Sequence, residues 1–189
     1  MNISPSFANT PLGPMLKQWR MLNRVKQSHA AQMFGVCQST ISRWESGIQD
    51  ADPEQRARIE ALLNARLSSA ADHALARLVS GSSQPVHLVC DLTHRLLACS
   101  ASREAEFHVP VSDLLGVSLW PFVTEEIARQ ELCLADIGWR DNLATPAVQL
   151  ATGMNHSALV PIQHSLCRWT RFTLSDGSTA RLVETLAHI

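Results

Sequence analysis

Apolar positions recur at helical spacing through the first third of the chain, then give way to short alternating or continuous runs. Leu12, Met15, Leu16, Trp19, Leu22 and Val25 fall three or four residues apart, which predicts a first helix. Either Thr10-Pro11 or Gly13-Pro14 opens it, since proline suits the first helical turn. A second short helix is expected over Gln27–Phe34, stopped by Gly35, the residue that takes a left-handed cap most readily. After Val36 and Cys37 a third helix runs from 38 to about 46 and stops at Gly47. Asp52-Pro53-Glu54-Gln55 reads as a cap, a proline in the first turn and a glutamine reaching back, a variant of the capping box. Ile59, Leu62, Leu63 and Leu67 then mark the buried stripe of a fourth helix, and 69–79 extends as another with Leu75, Leu78 and Val79 on one side.

The run Ser80-Gly81-Ser82-Ser83-Gln84-Pro85 breaks that rhythm and is the expected domain boundary. Beyond it, Val86-His87-Leu88-Val89-Cys90 and Leu96-Leu97-Ala98-Cys99 read as strands around a turn at Thr93-His94. Short helical patches follow as far as Gln130. Three more strands are expected over 156–162, 169–174 and 179–186, the last two joined by a turn at Ser175-Asp176-Gly177. The fold class predicted is therefore two domains, an all-α domain followed by an α+β domain with an antiparallel sheet. Their bounds are 1–68 for the helical domain, 69–85 for a helical linker and 86–189 for the second domain.

Charge sharpens this division. Residues 1–68 carry eight Lys/Arg and five Asp/Glu, a balance of +3, whereas 69–189 carry eight Arg and twelve Asp/Glu, a balance of −4. Both lysines, Lys17 and Lys26, lie in the first part. A basic head on an acidic body fits local phosphate binding. The five cysteines are scattered without a CxxC pair, which argues against a zinc ribbon or a disulfide framework and for buried free thiols. The chain has no run of roughly 18 apolar residues, and Met1 to Pro11 lack a basic start followed by an apolar stretch, so the expected location is cytoplasmic, with no membrane partner.

The segment from Gln27 to Gly47 carries the clearest chemistry. Ala31 is small where one helix must approach another, Gly35 permits a sharp turn, and Val36, Ile41 and Trp44 point to a core. The opposite face of the third helix presents Gln38, Ser39, Ser42 and Arg43, all able to hydrogen-bond base edges or phosphates in a major groove. Over about 12–67 the chain resembles the Cro/repressor-type (XRE) helix-turn-helix family, with a lambda repressor-like fold; the run Ser39-Thr40-Ile41-Ser42-Arg43-Trp44-Glu45-Ser46-Gly47 is close to that family's recognition helix. The resemblance implies that Gln27 contacts phosphate, that Gln38, Ser39, Ser42 and Arg43 read bases, and that Thr40 touches backbone or base. It also implies an ion pair between Arg20 and Glu45. Lys26 departs from the capping Thr or Ser usual there, which weakens the cap but offers a cation to phosphate. Arg56 and Arg58 are read as solvated arginines, with phosphate contact as the alternative.

After Pro85 the order of elements resembles a PAS sensor domain. Val89 to Ser100 look like its first hairpin, Asp113-Leu114-Leu115-Gly116 like the step before its helical connector, and Trp169 to Leu174 with Arg181-Leu182-Val183 like its closing hairpin. The resemblance implies a pocket for a small molecule, a cofactor or a packed partner. No cofactor is assigned. His108, His156, His164 and His188 suggest haem, but none lies in the connector over 124–130 where haem-binding members would place it, and each is read as a surface or hydrogen-bonded histidine. The flavin-reactive cysteine motif is not visible. Trp120, Trp139 and Trp169 are expected to pack the core.

These readings together predict a sequence-specific DNA-binding transcriptional regulator, not an enzyme, whose second domain senses a small ligand or protein partner, dimerises the chain, or both. The alternative is a ligand-free dimerisation and partner-recruiting module on the same DNA-binding head. Self-cleavage by a Ser–Lys dyad is excluded because no lysine follows Lys26, and no GxSxG nucleophile elbow is present. A homodimer on double-stranded DNA is expected, because one small head supplies few contacts and paired heads reach two half-sites.

Overall fold

The computed structural model describes residues 12–139 and 145–189. The alternative helix start at Thr10-Pro11 and the expectation of no leader over the first residues lie outside them. The chain divides into two compact units, Met1–Asn64 and Ala65–Ile189.

The first unit is helical: α1 Leu12–Leu22, α2 Gln27–Phe34, α3 Gln38–Glu45 and α4 Pro53–Leu63. Met15, Leu16, Ala30, Ala31, Phe34, Ile41, Trp44, Ile59 and Leu63 are buried, and the Phe34 and Trp44 rings meet edge to face at 6.2 Å. Helix α1 packs on α3 and α4, and α2 packs on α3. The α1–α3 crossing is very close: a Cβ at Gly13 would stand 1.7 Å from the Trp44 carbonyl oxygen. The turn between α2 and α3 depends on Gly35, held left-handed at φ 67°, ψ 32° while its N–H caps α2. Asp52 caps α4 by accepting from the Gln55 N–H at 2.9 Å. The expected return of the Gln55 side chain to that cap does not form; its amide instead donates to the Phe34 carbonyl at the last turn of α2, which also accepts from Arg58.

The second unit begins with α5 Ala70–Ser80, followed by β1 Val86–Cys90, β2 Leu96–Cys99, α6 Ala101–Glu104, α7 Val111–Leu114, α8 Glu125–Cys133, β3 Val148–Ala151, β4 Ser165–Thr173 and β5 Thr179–His188. The five strands form one antiparallel sheet in the order β2-β1-β5-β4-β3. Helix α5, which the sequence reading puts in a linker over 69–85, packs within this unit on β1 and β2. Ser69 and Asp72 form a capping box at its start, and Asp72 also accepts from the Ser175 N–H and hydroxyl in the β4–β5 turn. Burial of Asp72 opposes its charge, yet these donors from Ser175 and Ser69 hold its carboxyl well below the usual range.

One expected strand does not form, and one forms that was not expected. Residues 156–162 are not a strand: Asn155 gathers the segment into a loop, accepting from the N–H groups of Ser157 and Ile162 and donating to the carbonyls of Phe122 and Val160. Pro161 has no N–H to give a ladder. The strand the sequence reading misses is β3, which pairs with β4.

Candidate functional site

Two sites merit attention, one in each unit. In the first unit, α3 buries Ile41, Trp44 and Glu45 and exposes Gln38, Ser39, Ser42 and Arg43, with Thr40 half-buried. Arg20 holds Glu45 side-on, its Nε 2.7 Å from Oε1 and its Nη2 2.9 Å from Oε2, so the implied ion pair between α1 and α3 is present. Gln27 is half-buried and donates to the same carboxylate at 2.9 Å. Lys26 is exposed at the start of α2 and makes no side-chain cap. Arg58 does not stand free: its guanidinium donates to the carbonyls of Met33 and Phe34 and lies over the Phe34 ring. Arg56 pairs with Glu60 at 3.4 Å.

Cys37, just before α3, is exposed, with its sulfur 3.0 Å from the hydroxyls of both Ser39 and Thr40. Those hydroxyls, Ser39 first, lower its thiol to about 7.

In the second unit a cavity of about 90 Å³ lies on the inner face of the sheet. The two-residue repeat of a strand brings His87 and Val89 of β1, Arg181, Val183 and Thr185 of β5, and Ser165, Cys167 and Trp169 of β4 onto that face. Phe122, Ile127 and Val160 close it from the other side. The walls are mainly apolar, and the charged and histidine side chains fall into two groups, one at each end.

One end is an ion network. Arg181 is 2% exposed and lies 4.5 Å from the Trp169 ring centre and 5.5 Å from that of Trp139. Its Nε donates to Asp91 Oδ1 at 2.8 Å and its Nη1 to Glu131 Oε2 at 2.6 Å. Burial disfavours the charge on Arg181, but the two carboxylates raise its proton affinity beyond the ordinary arginine value. Glu131 is likewise penalised by burial and held ionised by His94 and Arg181. His94, stacked on Trp120 at 4.6 Å, stands 3.5 Å from Glu131.

The other end is formed by His87 and Arg103. His87 is 8% exposed; burial first, and the positive charge of Arg103 second, push its imidazole down to about 3. It is therefore neutral at physiological pH, and its Nδ1 has no hydrogen-bond partner among the described residues. Arg103 pairs through Nη1 with Glu106 and lies over Phe107, but its Nε is buried and also without a partner.

Neither histidine lining this cavity is among those the sequence reading considers for haem. A polar residue inside the otherwise apolar run of β1 was the available signal for His87. Trp139 and Trp169 are buried, as expected of core residues, but Trp169 and the half-buried Trp120 also face the cavity. Among the described residues, no group of three or more His, Cys, Asp or Glu side chains is arranged to hold a metal ion, and no helix is long and apolar enough to cross a membrane.

No protein-family model and no curated protein matches the chain. Several solved structures are similar to it. The PAS domain of an HTR-like protein from Haloarcula marismortui is 12% identical over 62% of this chain and 96% of that one, with a TM-score of 0.40. The PAS domain of BvgS from Bordetella pertussis is 15% identical over 62% and 85%, with a TM-score of 0.39. An RNA-binding light-oxygen-voltage receptor is 12% identical over 94% and 59%, with a TM-score of 0.43.

Proposed function

We propose that this chain is a sequence-specific DNA-binding transcriptional regulator that acts by binding, not catalysis, in the cytoplasm. Its first unit is read as a helix-turn-helix of the Cro/repressor type, its second as a PAS-like sensor that also holds two chains together. The observation that carries the reading is the division of α3: Ile41, Trp44 and Glu45 anchor it, while Gln38, Ser39, Ser42 and Arg43 face outward. The Arg20–Glu45 pair and Gln27 brace the helix from behind, so the exposed face is presented rigidly.

In this reading Gln38, Ser39, Ser42 and Arg43 meet base edges, Thr40 meets backbone or base, and Lys26 meets phosphate. Gln27, already donating to Glu45, serves the phosphate contact through whatever capacity that bond leaves. The cavity favours a sensor over a ligand-free module, because its apolar wall ends in buried polar atoms without partners.

Arg43→Ala is expected to cost roughly 1–3 kcal/mol on the selected duplex and to relax preference at one base position. Fluorescence anisotropy on that duplex and its single-base variants checks both. Unchanged affinity with unchanged preference would remove Arg43 from the reading surface.

A further inference from the structure

We propose that the cavity of the second unit is a site for a short aliphatic monocarboxylate, its head held between Arg103 and His87 and its chain against Val89, Val183 and Trp169. The inference rests on reading this unit as a sensor and names what it senses.

Arg103 has an unfilled edge. Among the described residues, Arg20 on Glu45 and Arg168 on Glu184, the latter at 2.8 and 2.7 Å, hold a carboxylate side-on through Nε and Nη2. Arg103 uses Nη1 for Glu106, which leaves the Nε edge, the one those pairs use, without a carboxylate. A buried guanidinium N–H with no acceptor is costly, and a planar carboxylate is the group that matches this fork.

His87 supplies the second contact. It lines the same cavity, is neutral, and carries a buried ring nitrogen without a partner among the described residues. A neutral imidazole donates one N–H, which suits the second oxygen of an acid head.

Register keeps that head away from the acidic end. Arg181, which engages Asp91 and Glu131, stands opposite Val89, whereas His87 stands opposite Val183 and Cys99. Volume limits the rest of the ligand. An engineered apolar cavity of about 150 Å³ holds benzene, so in proportion a cavity of about 90 Å³ suits a body of roughly three or four non-hydrogen atoms. That length is a propanoate or butanoate chain. Cofactors the size of a flavin or haem exceed it.

The test is calorimetric titration of the whole chain with propanoate, butanoate and their neutral amides. Saturable binding of the acids is expected, with the amides at least tenfold weaker. Arg103→Lys, which keeps a cation and loses the Nε edge, is expected to weaken acid binding at least tenfold and leave amide binding unchanged. If that variant does not fold, the wild-type chain decides, through nuclear Overhauser contacts between the butanoate methyl protons and those of Val183 and Trp169. Absence of those contacts overturns the proposal. Amides that bind as tightly as acids overturn the carboxylate but leave the cavity a ligand site, so the sensor reading survives. No binding of either class, together with no uptake of 1-propanol as a neutral apolar probe, overturns both.

Discussion

Cys37 and His87 are the two residues whose ordinary chemistry the fold changes in ways a simple measurement reads. At Cys37 the hydroxyls of Ser39 and Thr40 stabilise the thiolate, bringing it to about 7, and the side chain is exposed. Near pH 7 roughly half of it is ionised, against a few per cent for an ordinary thiol, so alkylation about tenfold faster is expected. Mass spectrometry of the chain after brief iodoacetamide treatment should find Cys37 modified first, with Cys90, Cys99 and Cys167 protected by burial. Ser39→Ala should slow it. Equal rates at Cys37 and the other exposed thiol, Cys133, would refute the hydroxyl account. His87 acts on stability instead. Above its unfolded value of 6.5 both states are neutral; as pH falls, the unfolded chain takes a proton that the folded chain refuses until about 3. Stability therefore declines below pH 6.5, by roughly 2 kcal/mol between pH 7 and 5 from this residue alone. Urea unfolding at the two pH values should show His87→Phe losing that much less than the wild type; identical losses would place His87 in contact with water.

Elements are joined in the second unit by the Arg181 network, since Asp91 follows β1, Glu131 lies on α8 and Arg181 on β5. Arg181→Ala leaves two buried carboxylates without their cation and should destabilise this unit by about 3–5 kcal/mol in urea unfolding. A loss under about 1 kcal/mol would mean that water already screens the network. Which elements were legible in the sequence follows from how local their causes are. Helix α2 and the turn to α3 were readable because Gly35 is needed at one backbone position, and β1 and β2 because each is an apolar run bounded by turn residues. Strand β3 is four residues long and is defined by its pairing with β4, a cause remote in sequence. The false strand at 156–162 had an apolar run from Ala158 to Val160, but Asn155 and Pro161 outweighed it. The cavity was not legible for a related reason. Both faces of β1 are buried, so no alternation marked His87 as facing inward, and Arg103 reaches it from the four-residue α6.

For the whole molecule the charge divides as +3 over 1–68 and −4 over 69–189, which is the balance the proposed phosphate contact draws on. On the DNA-binding function proposed above, affinity for DNA is expected to fall with salt, with selectivity carried by the exposed face of α3. Two heads held in one homodimer would read half-sites about 10 base pairs apart, or a multiple of that spacing. The most direct test is selection by the purified full-length protein from a randomised double-stranded DNA library at near-physiological salt. The account predicts enrichment of a motif with two related halves at that spacing, lost when Gln38, Ser42 and Arg43 are replaced together by alanine. A library that emerges unenriched, or the same motif recovered by the triple variant, would contradict it.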